Sequence, residues 1–251
     1  MSTRVRRLRG RKKPTFVSRL RMFWIFIVVV FALVGYGLYL LATLPQLRVH
    51  DVTVHIPGEV VSEGEVMSAA HIDRGANAWF INTGAVEKRI EAIPYVKTAH
   101  ISRIPPADLA IDVTLRLPIA CVRSRVRMVT IDDAPRILQD GCAAASLGFI
   151  DMPDIGLGLP GSEPADPSLA GLIADSRTLT QAHLDVQSIG RDQFGGVVAL
   201  DRTGVALLFG TDTDLAQKAR LVGPVRASLP KDHQLKAIDL RAPGTPVLDF
   251  K

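Results

Sequence analysis

Gly156-Leu157-Gly158-Leu159-Pro160-Gly161 spells G-x-G-x-x-G, the spacing with which a strand-to-helix turn wraps the pyrophosphate of a dinucleotide. That chemistry needs a strand before the first glycine and a helix opening after it. Here the hexamer lies inside Asp151 to Gly171, a stretch holding Pro153, Pro160, Pro164 and Pro167 as well as glycines, and it reads as an irregular loop. Pro160 also removes an amide where a phosphate would need one, so no cofactor is expected. Ser228-Leu229-Pro230-Lys231 matches the S-x-x-K of penicillin-recognising enzymes, in which a helical turn brings the lysine amine onto the serine hydroxyl. Pro230 obstructs that turn, and no Ser-Asp-Asn or Lys-Thr-Gly segment accompanies it.

The six histidines, His50, His55, His71, His100, His183 and His233, include no pair at the spacing of a helical metal site. Asp132-Asp133 and the Asp151/Asp154 pair are carboxylate neighbours, but acid-base catalysis needs environments that split their pKa values, and both pairs are expected in turns open to water. Cys121 and Cys142 can close a loop of about 22 residues, a bridge that adds about 3 kcal/mol in the chain-entropy model. One buried thiol and one loop thiol would be an equally ordinary arrangement. Neither a nucleophile nor a metal set nor a phosphate loop emerges, and the expectation is a non-enzymatic protein that acts through contact with other proteins.

The elements that would position such contacts begin with Met22 to Leu44, twenty-three residues without a charged side chain. A helix rising about 1.5 Å per residue needs roughly 20 apolar residues to cross a hydrocarbon core of about 30 Å. Nine of the 30 Lys and Arg (Arg4, Arg6, Arg7, Arg9, Arg11, Lys12, Lys13, Arg19, Arg21) precede this span and no acid does. The positive-inside rule therefore predicts a cytoplasmic basic tail at 1–21, a transmembrane helix at 22–44 and export of the rest. A cleaved signal peptide would have a shorter apolar region and a small-x-small site, which Leu40-Leu41-Ala42-Thr43-Leu44 lacks. The exported part retains 21 basic residues against 25 acidic ones, so it has no basic excess to meet nucleic acid.

After the span, Val52, Val54 and Ile56 alternate with Thr53 and His55 as a half-buried strand ended by Pro57-Gly58. Ser62 and Glu65 form a capping box for a helix running to about His71. Val86, Ile90 and Ile93 predict a second helix stopped before Pro94. Tyr95 to Ile104 and Leu109 to Leu117 predict two strands joined at Pro105-Pro106, with Leu109, Ile111, Val113, Leu115 and Leu117 on the buried face. The remainder, 118–251, reads as a mixed β domain. Short strands are predicted at Cys121 to Val122, Met128 to Ile131, Val186 to Ile189, Val197 to Leu200 and Val205 to Phe209. A helix carries Leu169, Leu172, Ile173, Ser176 and Leu179, and a second runs from about Asp214 to Leu229 with Leu215, Ala219, Val222 and Leu229 inward. Asp201 to Gly204 is a turn in which Gly204 takes positive φ.

The order strand, helix, helix, strand, strand over 47–117, directly after one span, resembles the POTRA domain of the FtsQ/DivIB family of bacterial cell-division proteins. Ile93-Pro94-Tyr95-Val96-Lys97 leads its hairpin and Arg116-Leu117-Pro118-Ile119-Ala120 closes it. The likeness continues through Gly204 to Gly210, Lys218, Ile238-Asp239-Leu240-Arg241 and Val247 to Phe250. The chain departs from the family pattern where Trp is frequent in the hairpin turn and Glu precedes the closing Arg; here those places hold Ile104-Pro105-Pro106 and Leu115.

The fold expected is thus α+β: one N-terminal transmembrane helix, a β-α-α-β-β POTRA domain, and a mixed β-rich domain with two helices. The resemblance implies a bitopic divisome scaffold in the inner (plasma) membrane, concentrated at the septum. It implies binding of FtsB/DivIC-like and FtsL-like bitopic proteins and a link between early and late division proteins, including the septal peptidoglycan synthases. The partner-binding residues it implies are Ile238, Leu240, Arg241, Gly244, Val247, Leu248 and Phe250. A terminal strand from Val247 to Lys251 could take a partner strand by β-augmentation. A POTRA-bearing component of protein transport or secretion, receiving an unfolded client by strand addition, is the alternative reading, and a membrane-tethered wall enzyme a third.

Overall fold

The structure, a computed structural model, describes residues 16–73, 75–228, 235–242 and 244–250. The basic tail at Arg4 to Lys13, Leu229 as an inward helix residue, Leu229-Pro230-Lys231 of the S-x-x-K match, His233 and the terminal Lys251 lie outside them. The elements in order are α1 (Phe16–Thr43), a 3-10 turn (Pro45–Leu47), β1 (Val52–His55), α2 (Glu63–Ala70), α3 (Thr83–Ile90), β2 (Val96–Ile104) and β3 (Asp108–Leu115). There follow β4 (Ala120–Arg123), β5 (Met128–Ile131), β6 (Ile137–Asp140), β7 (Gly148–Asp151), α4 (Pro167–Gln181) and β8 (Val186–Arg191). The chain closes with β9 (Val197–Asp201), β10 (Ala206–Gly210), α5 (Leu215–Ala227), β11 (Leu235–Asp239) and β12 (Val247–Phe250).

Contacts divide the chain into two compact units. The first comprises Met1–Thr53, Ile72–Asn82 and Ser102–Ala110, and so contains α1, whose segment Phe23–Leu40 is long and apolar enough to cross a membrane. Val49 N-H donates to Ala76 O at 3.0 Å and Ala78 N-H to Leu47 O at 2.9 Å, tying the chain after α1 to the loop at 75–82.

The second unit, Val54–His71, Thr83–Ile101 and Ile111–Lys251, holds the larger core. Helix α2 begins where the capping residue requires: Ser62 Oγ accepts from Glu65 N-H at 3.2 Å. Helix α3 ends at Ile90, earlier than the apolar spacing predicts. Ala92 and Ile93 instead donate to Arg89 O and Ile90 O, a tightened last turn that carries Ile93 inward outside the helix. A small sheet runs in the order β1-β3-β2, and the second unit holds its residues 54–55, 96–101 and 111–115. Strand β3 ends at Leu115, and Leu117, expected inward, is 77% exposed. Pro118 constrains the backbone just past the last ladder bond, Arg116 N-H to Tyr95 O at 2.8 Å.

Among the described residues the larger sheet has nine strands in the order β12-β11-β10-β9-β8-β7-β4-β5-β6. Strands β7 and β8 are parallel and joined through α4; β10 and β11 are parallel and joined through α5. A parallel neighbour needs a crossover of this kind, so two βαβ units supply the sheet's helical cover. Helices α4 and α5 touch one another and rest on β8 and β10 respectively. They bury Leu169, Leu172, Ile173, Leu179, Leu215, Ala219 and Val222 against Val122, Ile131, Ile150, Ile189, Leu207 and Phe209.

Strands β6 and β7 go unseen in the residue pattern, since four residues give too short a period to read. The Pro/Gly-rich loop at 151–171 is correspondingly shorter in the structure. Asp151 closes β7, and Asp166 caps α4 by accepting from Ser168 N-H at 2.9 Å, with Pro167 at the first helical position.

Candidate partner-binding edge

Strand β12 stands at one end of the nine-stranded sheet and pairs only with β11 among the described residues, antiparallel, with Asp239 opposite Val247 and Ile238 opposite Leu248. A strand paired on one side turns the polar groups of alternate residues away from its partner. Val247 is 63% exposed, while Leu248 packs against the core. Lys236 and Asp249 face each other across the pair at 3.1 Å.

Of the residues implicated by sequence, Val247, Leu248 and Phe250 share β12, and Gly244 and Arg241 sit exposed in the turn that leads into it. Ile238 and Leu240 belong elsewhere: both are fully buried in the core, so their side chains hold β11 in place and are not presented to a partner. The turn is fixed by Asp239, which accepts from Arg241 N-H at 3.0 Å and from the Arg241 guanidinium at 2.5 to 3.0 Å. The hydrogen bond from Arg241 holds the Asp239 carboxyl below its usual range, and the same bond pushes the guanidinium up. Arg241 lies across Gly210, whose φ of 68° is left-handed and whose missing Cβ would come within 2.9 Å of the arginine side chain.

The lysine of the last helix acts from beneath this end of the sheet. Lys218 is buried, and its Nζ donates to Phe209 O at 2.8 Å and Thr211 O at 3.0 Å, binding α5 to the end of β10. Helical spacing marks it as inward-facing beside Leu215 and Val222, but a lysine is seldom fully buried and its burial is not legible locally. The hairpin before β10 is organised by Asp201, which accepts from Thr203 N-H, Val205 N-H and Arg226. Burial pushes the Asp201 carboxyl up, but these donors hold it net below its usual range, while Gly204 supplies the positive φ of 84°.

At the opposite end, the G-x-G-x-x-G segment covers a sheet edge. Gly161 N-H donates to Ile137 O at 2.7 Å and Ile137 N-H to Ser162 O at 2.9 Å, so the loop roofs β6. Arg127 fastens that loop through Leu157 O and Gly158 O. Cys121 on β4 and Cys142 after β6 form a disulfide with Cα atoms 5.5 Å apart. Asp132 corrects the expectation of a turn carboxylate open to water. It is fully buried, pairs with Arg116 at 2.7 Å and accepts from the amides of Ala134 and Arg136. Asp133 beside it is exposed, whereas Asp151 and Asp154 pair with Arg123 and Arg125. Ser228 donates to Val225 O at 2.8 Å. Among the described residues no group of three His, Cys, Asp or Glu is placed to hold a metal.

Residues 47–116 match the model of an FtsQ-type POTRA domain. The chain is 26% identical over 220 residues to a cell division protein FtsQ of Mycobacterium leprae, covering 86% of this chain and 62% of that protein. It is 25% identical over 224 residues to the FtsQ of Mycobacterium tuberculosis, covering 84% and 66%. Over 78 residues, 31% of this chain and 24% of the other, it is 33% identical to the FtsQ of Novosphingobium aromaticivorans. The chain thus spans under two thirds of the length of these relatives.

Proposed function

We propose that the chain is a member of the FtsQ/DivIB family of bacterial cell-division proteins and that it is a non-enzymatic, single-pass divisome scaffold. The single observation that carries the reading is the FtsQ-type POTRA domain at 47–116 placed directly after an apolar helix of spanning length. In this reading the N-terminus is cytoplasmic, because nine basic residues and no acid precede the span, and the remainder is extracytoplasmic at the septum. The open strand β12 takes a segment of an FtsB/DivIC-like bitopic partner by strand addition, with an FtsL-like protein in the same complex. Main-chain bonds give affinity, while Val247 and Phe250 select side chains. Through these contacts the scaffold links early division proteins to the septal peptidoglycan synthases. Single-span partners share its thin layer, so weak contacts act at high effective concentration.

Crosslinked dividing cells test this. The expected result is recovery of small bitopic division proteins with the chain and concentration of a fluorescent fusion at midcell. An even ring around the whole membrane, with no such partner recovered, overturns the division role. Val247→Asp tests the edge separately: it is expected to abolish recovery of the partner while the fold is retained, and unchanged recovery removes β12 as the site.

A further inference from the structure

Trp79, Phe80 and Ile104 are exposed, at 51%, 65% and 46%, in the same compact unit as α1. They are large apolar side chains held in fixed places. The Trp79 indole donates to Pro106 O at 3.2 Å, and its backbone N-H donates to Asn77 Oδ1 at 2.9 Å. From β2, the Arg103 guanidinium donates to Ala78 O at 3.0 Å and Ile81 O at 2.8 Å, clamping the loop from behind. The loop is also stapled to the chain that leaves α1, through the bonds joining residues 47 and 49 to 76 and 78 and the Arg48–Asn77 bridge. Leu47 lies four residues past the end of α1, a reach of at most about 14 Å even fully extended, and a 3-10 turn shortens it.

We infer that Trp79, Phe80 and Ile104 form an interfacial anchor that enters the headgroup layer of the bilayer α1 crosses. That layer adds about 5 to 7 Å on each side of the hydrocarbon core, within reach of a loop tied so near the helix end. Amphipathic rings prefer this depth: the indole body is apolar and its N-H is already satisfied by Pro106 O. The occupant is lipid because backbone bonds tie the loop to Leu47–Val49, the segment that leaves the spanning helix. Insertion would hold the loop at 75–82 against the membrane at a second point besides α1. The inference rests on α1 lying in a bilayer and is independent of the division role and of which side of the membrane the loop faces.

Trp24 and Trp79 are the two tryptophans of the chain, so Trp24→Phe leaves Trp79 as the sole reporter. The full chain with that substitution is reconstituted in vesicles of phosphatidylethanolamine and phosphatidylglycerol. A lipid bearing a nitroxide at the headgroup should lower Trp79 emission roughly twofold or more, and one bearing it at the chain terminus should lower it less. Adding Phe80→Asp should weaken the headgroup quenching. Emission insensitive to lipid nitroxide but quenched by aqueous iodide overturns the anchor, as does shielding from both quenchers, which would show a protein surface covering the loop. Headgroup quenching unchanged by Phe80→Asp also overturns it as proposed.

Discussion

Strand β6 and strand β12 end the same nine-stranded sheet, and the chain treats them in opposite ways. The outer side of β6 is closed at Ile137, whose carbonyl accepts from Gly161 N-H and whose N-H donates to Ser162 O, and the strand is further held by Tyr95, whose hydroxyl donates to Gln139 at 2.7 Å. The disulfide ties the chain just past β6 back to β4, and Arg136 just before it donates to Glu91 O. Strand β12 has no strand beyond it among the described residues and turns an exposed valine outward. An unpaired edge invites association, and proteins commonly cover, charge or shorten such edges. One end carries a loop, a disulfide and a buried ion pair, while the other has no strand beyond β12 among the described residues.

At the open end the effect expected is on binding. Val247→Asp should lower partner capture at least about tenfold, a change of about 1.4 kcal/mol or more, with thermal unfolding unaltered. At the closed end, Arg116→Ala leaves the Asp132 carboxylate buried without its cation and should cost about 3 to 5 kcal/mol in urea unfolding. An unchanged midpoint would remove that pair from the account of why this end is fixed.

Gly161→Ala is a smaller perturbation. The residue has φ of 90°, so an alanine there should cost about 1 to 3 kcal/mol and speed hydrogen exchange at the Ile137 amide relative to the rest of the sheet. Uniform protection would mean that the loop does not close the edge. The smallest effect concerns pH at the open end. Because Arg241 depresses the folded Asp239 below its ordinary value of 3.8, the pair stabilises above that value, and the gain is lost as pH falls through the folded pKa. Arg241→Gln should flatten this acid limb slightly, and high salt should shrink the difference, since the arginine is largely exposed.

Local signals made much of the first half legible. A charge-free run of spanning length, an S-x-x-E cap and the alternation of Leu109, Ile111 and Val113 each lie within a few residues of chain and correspond to α1, α2 and β3. At element ends neighbouring geometry won. Leu117 keeps the alternation in sequence but lies outside β3, and Ile93 keeps the helical spacing but lies outside α3. The candidate edge was half legible: β12 is strand-like and terminal, yet Ile238 and Leu240 look equally available until their burial is seen.

By itself the sequence determined the apolar helix of spanning length, the alternating faces of the longer strands, the cap of α2 and the family resemblance, because period, charge and caps are properties of neighbours along the chain. Tertiary structure alone decided that the two thiols met, that Asp132 and Lys218 are buried, that a glycine-rich decoy roofs β6 at Ile137, and which edge of the sheet has no further strand among the described residues. Those outcomes depend on which distant segments become neighbours, and pairing across a sheet is set by the whole topology, which no local period encodes.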